Sequence, residues 1–375
     1  MSSGISMIGV TGFAPFGQLI ANTQATHSRL DTLTNQVSTG LIANNYAGLG
    51  SGASLSLDLR PQIANLQTWQ NNIDVTTGRM SVTQSALTQI QSIASGFYAQ
   101  LNNLNGVSAN EVDTIAASAR GALQQVAGLL DTQDGGVYVF AGQDTGNPPV
   151  PDGDAILTSG FYTQINAAVS GLAANGAVAT ATATFNVAAS NAPGTSPFSA
   201  WLSQPSSVLQ ANPPAVQIGR NQTEPVGIPA SANGLIPDSV SGSPAILGGP
   251  PTTTGSYMRD VLRALATVGS LTSAQTNATG FQDLVQDTRI SLSGAVSAMA
   301  QDAGALGNVQ SSLTATQSRL SDTQTALTTQ VSSAEDADLA STLSQLSLVQ
   351  TQMQASYQLI ATLSGLSLAK FLPVS

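Results

Sequence analysis

The chain has 375 residues, 42% of them hydrophobic and only 8% charged, with a formal net charge of −10, one histidine and no cysteine. That length and apolar content suffice for two or three folded domains, while one lysine and nine arginines spread along an acidic chain exclude the basic surface that a nucleic-acid backbone requires. The missing cysteine removes disulfides, thiolate nucleophiles and Cys-ligated metals together.

The first 24 residues carry no basic region followed by a continuous apolar core, so they do not read as a cleaved secretory signal, and export would need another route. From there Leu19, Thr23, Thr26, Leu30, Leu33 and Val37 follow at helical steps and end at Gly40. The spacing predicts an amphipathic helix whose apolar stripe needs a partner. His27 lies within it among Thr26, Ser28 and Arg29, with no second titratable group to mark a pocket, so it reads as a solvated helix residue rather than a catalytic one. The following "GLGSGAS" lacks the Gly-Lys-Ser/Thr of a phosphate loop and reads as a flexible link.

From Pro61 to Leu104 two heptad series run in parallel. Leu66, Ile73, Met80, Leu87, Ala94 and Leu101 form one, and Trp69, Thr76, Thr83, Ile90, Phe97 and Leu104 the other. This is the seam of a long helix, with Pro61 expected in its first turn. A shorter helix follows, opened by a capping box from Ser108 to Glu111 and stopped by "TQDGG", after which "VYVF" reads as a strand. Between about 146 and 254 the composition turns to Pro-Pro pairs and Gly-rich turns, and no charge occurs from Ala155 to Gly219. The alternating "AVATATATFNV" and the run "AVQIGR" predict strands in a β-rich insertion.

"SYMRDVLRALATVGSL" returns the chain to helix and leads into a second seam, Val285, Leu292, Met299, Leu306, Leu313, Leu320 and Leu327. Two seams of matched length pair side by side as an antiparallel bundle. The last element is expected to begin at "SSAEDADLA", with Ser332 and Glu335 as a capping box and Glu335, Asp336 and Asp338 facing the helix dipole. Leu339, Leu343, Leu346, Val349, Met353, Tyr357, Ile360, Leu363 and Leu366 then draw one stripe that continues to Leu368 and Phe371. No residue from Leu339 to Ala369 is charged, yet Ser, Thr and Gln interrupt the run at nearly every turn, which argues against membrane insertion.

The expected fold is mainly α: a long antiparallel helical bundle or coiled coil from both chain ends with a small β-rich domain inserted in the middle. Its divisions are 1–60 and 332–375 as terminal assembly elements, 61–145 and 255–331 as the bundle, and 146–254 as the insertion. The bundle seam comprises Leu66, Trp69, Ile73, Met80, Leu87, Ile90, Phe97 and Leu101 against Leu292, Met299, Leu306, Leu313, Leu320 and Leu327. Leu19, Leu30, Leu33 and Val37, with the C-terminal stripe from Leu339 to Phe371, are the candidate subunit interface. No catalytic, cofactor or metal site is expected.

"LDTLTNQVSTG" followed by "SLDLRPQIANLQTWQNNI" resembles the N-terminal conserved region of flagellins, and "EDADLASTLSQLSLVQTQMQASYQLIATLSGLSLAKFL" resembles their C-terminal one. "GVYVFAGQDTGNPPV", directly after the shorter helix, is similar to the strand motif of the hook-filament junction proteins, a branch of hook-associated flagellin relatives. The chain departs from the family in having "LIANNYAGLGSGAS" where an acidic pair commonly follows "STG", with no acid until Asp58.

The resemblance implies a non-enzymatic, self-associating structural subunit of the bacterial flagellum, extracellular, exported through the flagellar type III apparatus without a cleaved signal. Its implied partners are further copies of itself, flagellin, another hook-associated protein, and a cytoplasmic export chaperone on the C-terminal helix before assembly. Filament flagellin is the neighbouring reading, and a secreted adhesin acting through the insertion is the alternative from another class.

Overall fold

The structure, a computed structural model, describes residues 14–104, 109–233 and 245–366. About 71% of the described residues are helical, which makes the chain mainly α as expected. The chain divides into two compact units, a terminal one from residues 1–67 and 322–375 and a middle one from 68–321. Both divisions fall inside long helices, α2 (Gly52–Asn103) and α8 (Phe281–Glu335).

The terminal unit contains α1 (Ala14–Thr39), the start of α2, the end of α8 and α9 (Leu339–Leu366). α2 begins at Gly52, so Pro61 lies inside the helix rather than in its first turn. Proline is tolerated there because its position is exposed, leaving the carbonyl one turn back free to face water, while Ser56 and Leu59 fix the register on the buried side. Gly52 is held to glycine by contact: a Cβ there would lie 3.1 Å from the Ala334 carbonyl oxygen on α8.

The expected capping box at Ser332 is also corrected, because α8 runs on through Glu335. Asp338 caps α9 instead, its Oδ1 accepting from the N–H groups of Ala340 at 3.0 Å and Ser341 at 3.2 Å. Glu335 is turned away to a different task described below. Ser108, the expected cap of the shorter helix that follows α2, lies outside the described residues.

The middle unit is built on the two seams. Ile73, Met80, Leu87, Ile90, Phe97 and Leu101 of α2 share one hydrophobic core with Leu292, Met299, Leu306 and Leu313 of α8. Trp69, Leu320 and Leu327 are half-buried, and Leu66 is buried within the terminal unit. α3 (Ala109–Leu130) packs on α7 (Tyr257–Gly269), a helix buried at every residue. The C-terminal carbonyl of α7, on Gly269, accepts from Arg120 Nη1 at 2.7 Å and from Tyr162 Oη at 2.9 Å.

The insertion is less β-rich than its composition suggests. Ahead of it β1 (Gln133–Asp134) and β2 (Val137–Tyr138) form one antiparallel hairpin, and within it β3 (Ala215–Gly219) and β4 (Gln222–Pro225) form another. "AVQIGR" is therefore largely a strand, and "VYVF" is one only over its first two residues. "AVATATATFNV" is helix, part of α5 (Leu172–Ala189), which follows α4 (Gly160–Ser170) and precedes α6 (Ser206–Ala211). Ala177, Thr180, Ala181, Thr184 and Ala188 are its buried residues, a spacing of three and four that a strand cannot present to one side. The period-two alternation of Thr and Ala masks this, because both residues are small enough to pack closely on α7.

Several carboxyl groups of the middle unit are buried. Desolvation pushes Asp131 up to about 6 against the N–H of Val150 at 2.8 Å, and pushes Asp260 up to about 6 despite bonds from Thr253 and Thr254. A carboxyl whose folded pKa is raised contributes stability below about pH 4 that is lost as pH rises through about 6. Full-length protein should therefore show a middle-unit unfolding transition stabilised by about 1 kcal/mol per fully buried carboxyl at pH 5 relative to pH 7.5, read by calorimetry. A transition no more stable at pH 5 than at pH 7.5 would contradict it.

Candidate assembly surface

α1 and α9 pack against each other within the terminal unit. On α1 the stripe of Leu19, Leu30, Leu33 and Val37 is buried or half-buried, with Leu33 6% exposed, and Ile20, on a flank of that stripe, is exposed. On α9, Thr342, Val349 and Met353 are buried, and Leu346 and Ile360 half-buried. Arg29 Nη2 donates to Gln345 Oε1 at 3.3 Å across the pair. These residues are covered, at least in part, by the chain itself.

The rest of the α9 stripe is not. At 100° per residue Leu339, Leu343 and Tyr357 fall on one flank of the covered face, and all three are about half exposed. Leu348 and Leu359, about three turns apart, fall on a second flank and are 59% and 54% exposed. Thus α9 offers two apolar strips in addition to the one that meets α1. The side chains of Leu363 and Leu366, and Leu368 and Phe371 entirely, lie outside the described residues.

The link between the two halves of this unit is built around "STG". Gly40 ends α1 at φ +72, a left-handed conformation that open space alone would not require but that an L side chain rarely adopts. Its N–H donates to Gln36 O at 2.8 Å, and its carbonyl accepts from Ala337 N at 2.8 Å. Ile42 N donates to Glu335 O at 2.7 Å, and Leu41 bridges Asp336 in antiparallel fashion. The segment after α1 is thereby tied to the turn between α8 and α9.

Glu335 completes that tie. Its carboxylate, with a side chain 9% exposed, accepts from Arg60 Nε at 2.9 Å, from Arg60 Nη2 and from Ser56 Oγ. These hydrogen bonds hold the Glu335 carboxyl below the usual range and the Arg60 guanidinium above its own. Sequence reasoning assigned Glu335 to a cap and gave Arg60 no role. The available signal was scarcity, since in a chain with 8% charged residues each ion set among apolar positions has a specific partner to find.

Arg60→Ala should lower the stability of the terminal unit by about 1–2 kcal/mol, a value kept small because the Arg60 side chain is 56% exposed. Because the Glu335 carboxyl is depressed, its contribution is present above about pH 4 and lost as pH falls below that. Hydrogen exchange at residues 40–42 would detect both effects, and unchanged protection in the variant would refute the tie.

Two family models match the chain. The bacterial flagellin N-terminal helical region covers residues 16–145 and the bacterial flagellin C-terminal helical region covers 291–372, together more than half of its length. The chain belongs to the bacterial flagellin family. No curated protein is a match for it. This flagellin-family chain is a structural subunit of the flagellum, of a family that self-assembles into flagellar polymers. The matched regions include α1 from Phe16 onward and all of the described α9, so the two strips left open on α9 belong to the family's shared part. No helix among the described residues is long and apolar enough to cross a membrane.

Proposed function

We propose that the chain joins the flagellar hook to the filament, assembling with sister copies through the open strips of its terminal unit. The observation that carries the assembly reading is the division of α9 into one face covered by α1 and two exposed apolar flanks. A half-exposed Leu or Tyr side chain on such a flank contributes about 0.8–1.6 kcal/mol when a neighbour covers the rest of it. Two flanks on one helix suit contact with two neighbours, which is what a head-to-tail helical or annular layer requires.

The polar side chains between the apolar positions of α9 are Ser, Thr and Gln, whose hydroxyls and amides accept several registers of contact without a fixed ion partner. That tolerance suits a subunit that meets one kind of neighbour below, another hook-associated protein, and flagellin above. The junction role specifically rests on the "GVYVFAGQDTGNPPV" resemblance, a segment whose Val139, Phe140 and Ala141 are buried where the β1–β2 hairpin follows α3. The same open strips would aggregate before assembly, which gives a chaperone on α9 its physical purpose and the flagellar type III apparatus its cargo.

Immunogold labelling of intact flagella tests the reading. Label confined to the distal end of the hook is expected. Label along the whole filament would assign the chain to filament flagellin instead, and label elsewhere on the cell would favour an adhesin.

A further inference from the structure

The middle unit holds two buried arginines on adjacent turns of α7, and they are treated differently. Arg263 meets the carboxylate of Asp287, an ion pair in which both side chains are almost wholly buried. Arg259, 6% exposed, has no carboxylate against it. Its Nε donates to Ser231 O at 3.2 Å, its Nη1 to the carbonyls of Ala188 at 2.9 Å and Ser190 at 3.1 Å, and its Nη2 to Asn191 Oδ1 at 2.7 Å. Phe198 lies beneath it, 5.1 Å from guanidinium carbon to ring centroid.

Every acceptor of Arg259 is neutral. Asp260 is next in the chain, but its two oxygens are taken by Thr253 Oγ1 at 2.6 Å and by the N–H and hydroxyl of Thr254 at 2.9 and 2.8 Å. Charge placement makes the position of Arg259 more demanding still. It lies in the first turn of α7, after the cap Ser256, where the helix dipole already presents its positive end. Burial pulls its guanidinium down to about 10, and the charge of Asp260, which makes no hydrogen bond to it, offsets that only in part.

Arg259 also lines a cavity of about 160 Å³. Asn191, Gln204, Ser206, Ser231, Thr254 and Ser256 contribute the polar lining. The side chains of Gln204 and Ser206 make no hydrogen bond among the described residues and are free to meet a ligand. Four of the five guanidinium N–H groups are used, and the fifth is on Nη2, the nitrogen bonded to the cavity-lining Asn191.

We propose that this cavity binds a small oxyanion, a hydroxycarboxylate by the character of its lining, whose carboxylate supplies the counter-charge that Arg259 lacks. The remaining Nη2 N–H donates to the carboxylate, and the ligand hydroxyls meet Gln204 and Ser206. The site is independent of the assembly surface, since it lies entirely in the middle unit.

Thermal unfolding of the full chain, kept dilute, tests this in buffers of equal ionic strength containing chloride, glycerate, phosphate or sulfate. A saturable rise of the middle-unit midpoint with glycerate, absent with chloride, is expected. Asn191→Asp places a carboxylate where the amide oxygen now accepts from Arg259, at an exposed position where the chain should still fold. It should raise the midpoint without ligand and weaken glycerate binding about tenfold or more, through direct competition for the guanidinium. Gln204→Ala and Ser206→Ala should weaken glycerate by a smaller factor and leave chloride behaviour unchanged. A saturable response to phosphate or sulfate that Asn191→Asp removes would support the oxyanion site and reassign its ligand. No saturable response to any of the three, or an equal response in wild type and Asn191→Asp, would overturn the proposal.

Discussion

A chain carrying Leu348→Asp and Leu359→Asp is expected to remain monomeric under conditions that polymerise the wild type, with its helix content unchanged. Both leucines are more than half exposed in the single chain, so replacing them removes little internal packing. Between copies, covering the exposed half of each leucine would contribute about 0.8–1.6 kcal/mol, so the pair raises the critical concentration by about 10-fold to 10²-fold before any cost of burying two carboxylates is added. Met353→Asp makes the contrasting case. Met353 is 8% exposed on the face that meets α1, so its replacement should unpack α1 from α9 in the monomer itself, lowering stability by about 2–5 kcal/mol. Sedimentation and circular dichroism on the two variants separate the cases. A double variant that polymerises normally would refute the assignment of the second flank to intersubunit contact.

Asp287→Ala should cost the middle unit about 3–5 kcal/mol, the largest single-site loss expected in the molecule. The substitution leaves Arg263 buried with no carboxylate bonded to it, held by Thr184 Oγ1 at 3.2 Å, the carbonyl of Ala181 at 3.4 Å and the Phe185 ring 5.7 Å away. Much of the loss is the cost of stranding a charge rather than the net value of the pair, so Arg263→Met combined with Asp287→Leu should recover most of it. Denaturant unfolding of Arg263→Met, Asp287→Leu and the variant carrying both measures the coupling. Additive losses would show that the two side chains do not depend on each other. Asp287 is itself raised by burial, with Arg263 opposing the shift, so the pair stands apart from the simple acid-stabilised behaviour of Asp131 and Asp260.

Much of the architecture was legible because heptad spacing is a local property. Ile73, Met80, Leu87 and Leu101 on one helix and Leu292, Met299, Leu306 and Leu313 on the other stand at intervals of seven, and all are buried in one core. Element ends were less legible. Pro61 and Ser332 each looked like a start, and each lies inside a helix, because a buried contact to a distant residue extended the helix past its local signal. "AVATATATFNV" misled for a related reason: small Thr and Ala residues satisfy both a period of two and a period near 3.6, and only the packing of α5 on α7 chooses between them.

The candidate surface was legible as a stripe but not as three faces. Spacing identified Leu343 and Met353 as equivalent, whereas one is half exposed and the other covered. Leu348 and Leu359 were missed altogether, since they fall outside the main stripe and acquire meaning only as the side of α9 that α1 leaves open.

What the amino-acid sequence determined by itself was the set of long amphipathic helices at both ends, since alternation at 3.6 residues per turn is written in neighbouring positions and needs no partner to be read. Which side of each helix stays inside the chain, which carboxylate meets which arginine, and which arginine meets none were decided by the tertiary structure alone. Arg60 and Glu335, like Arg263 and Asp287, are brought together only by folding, because the free energy of a buried charge depends on the groups around it in space and not on those beside it in the chain.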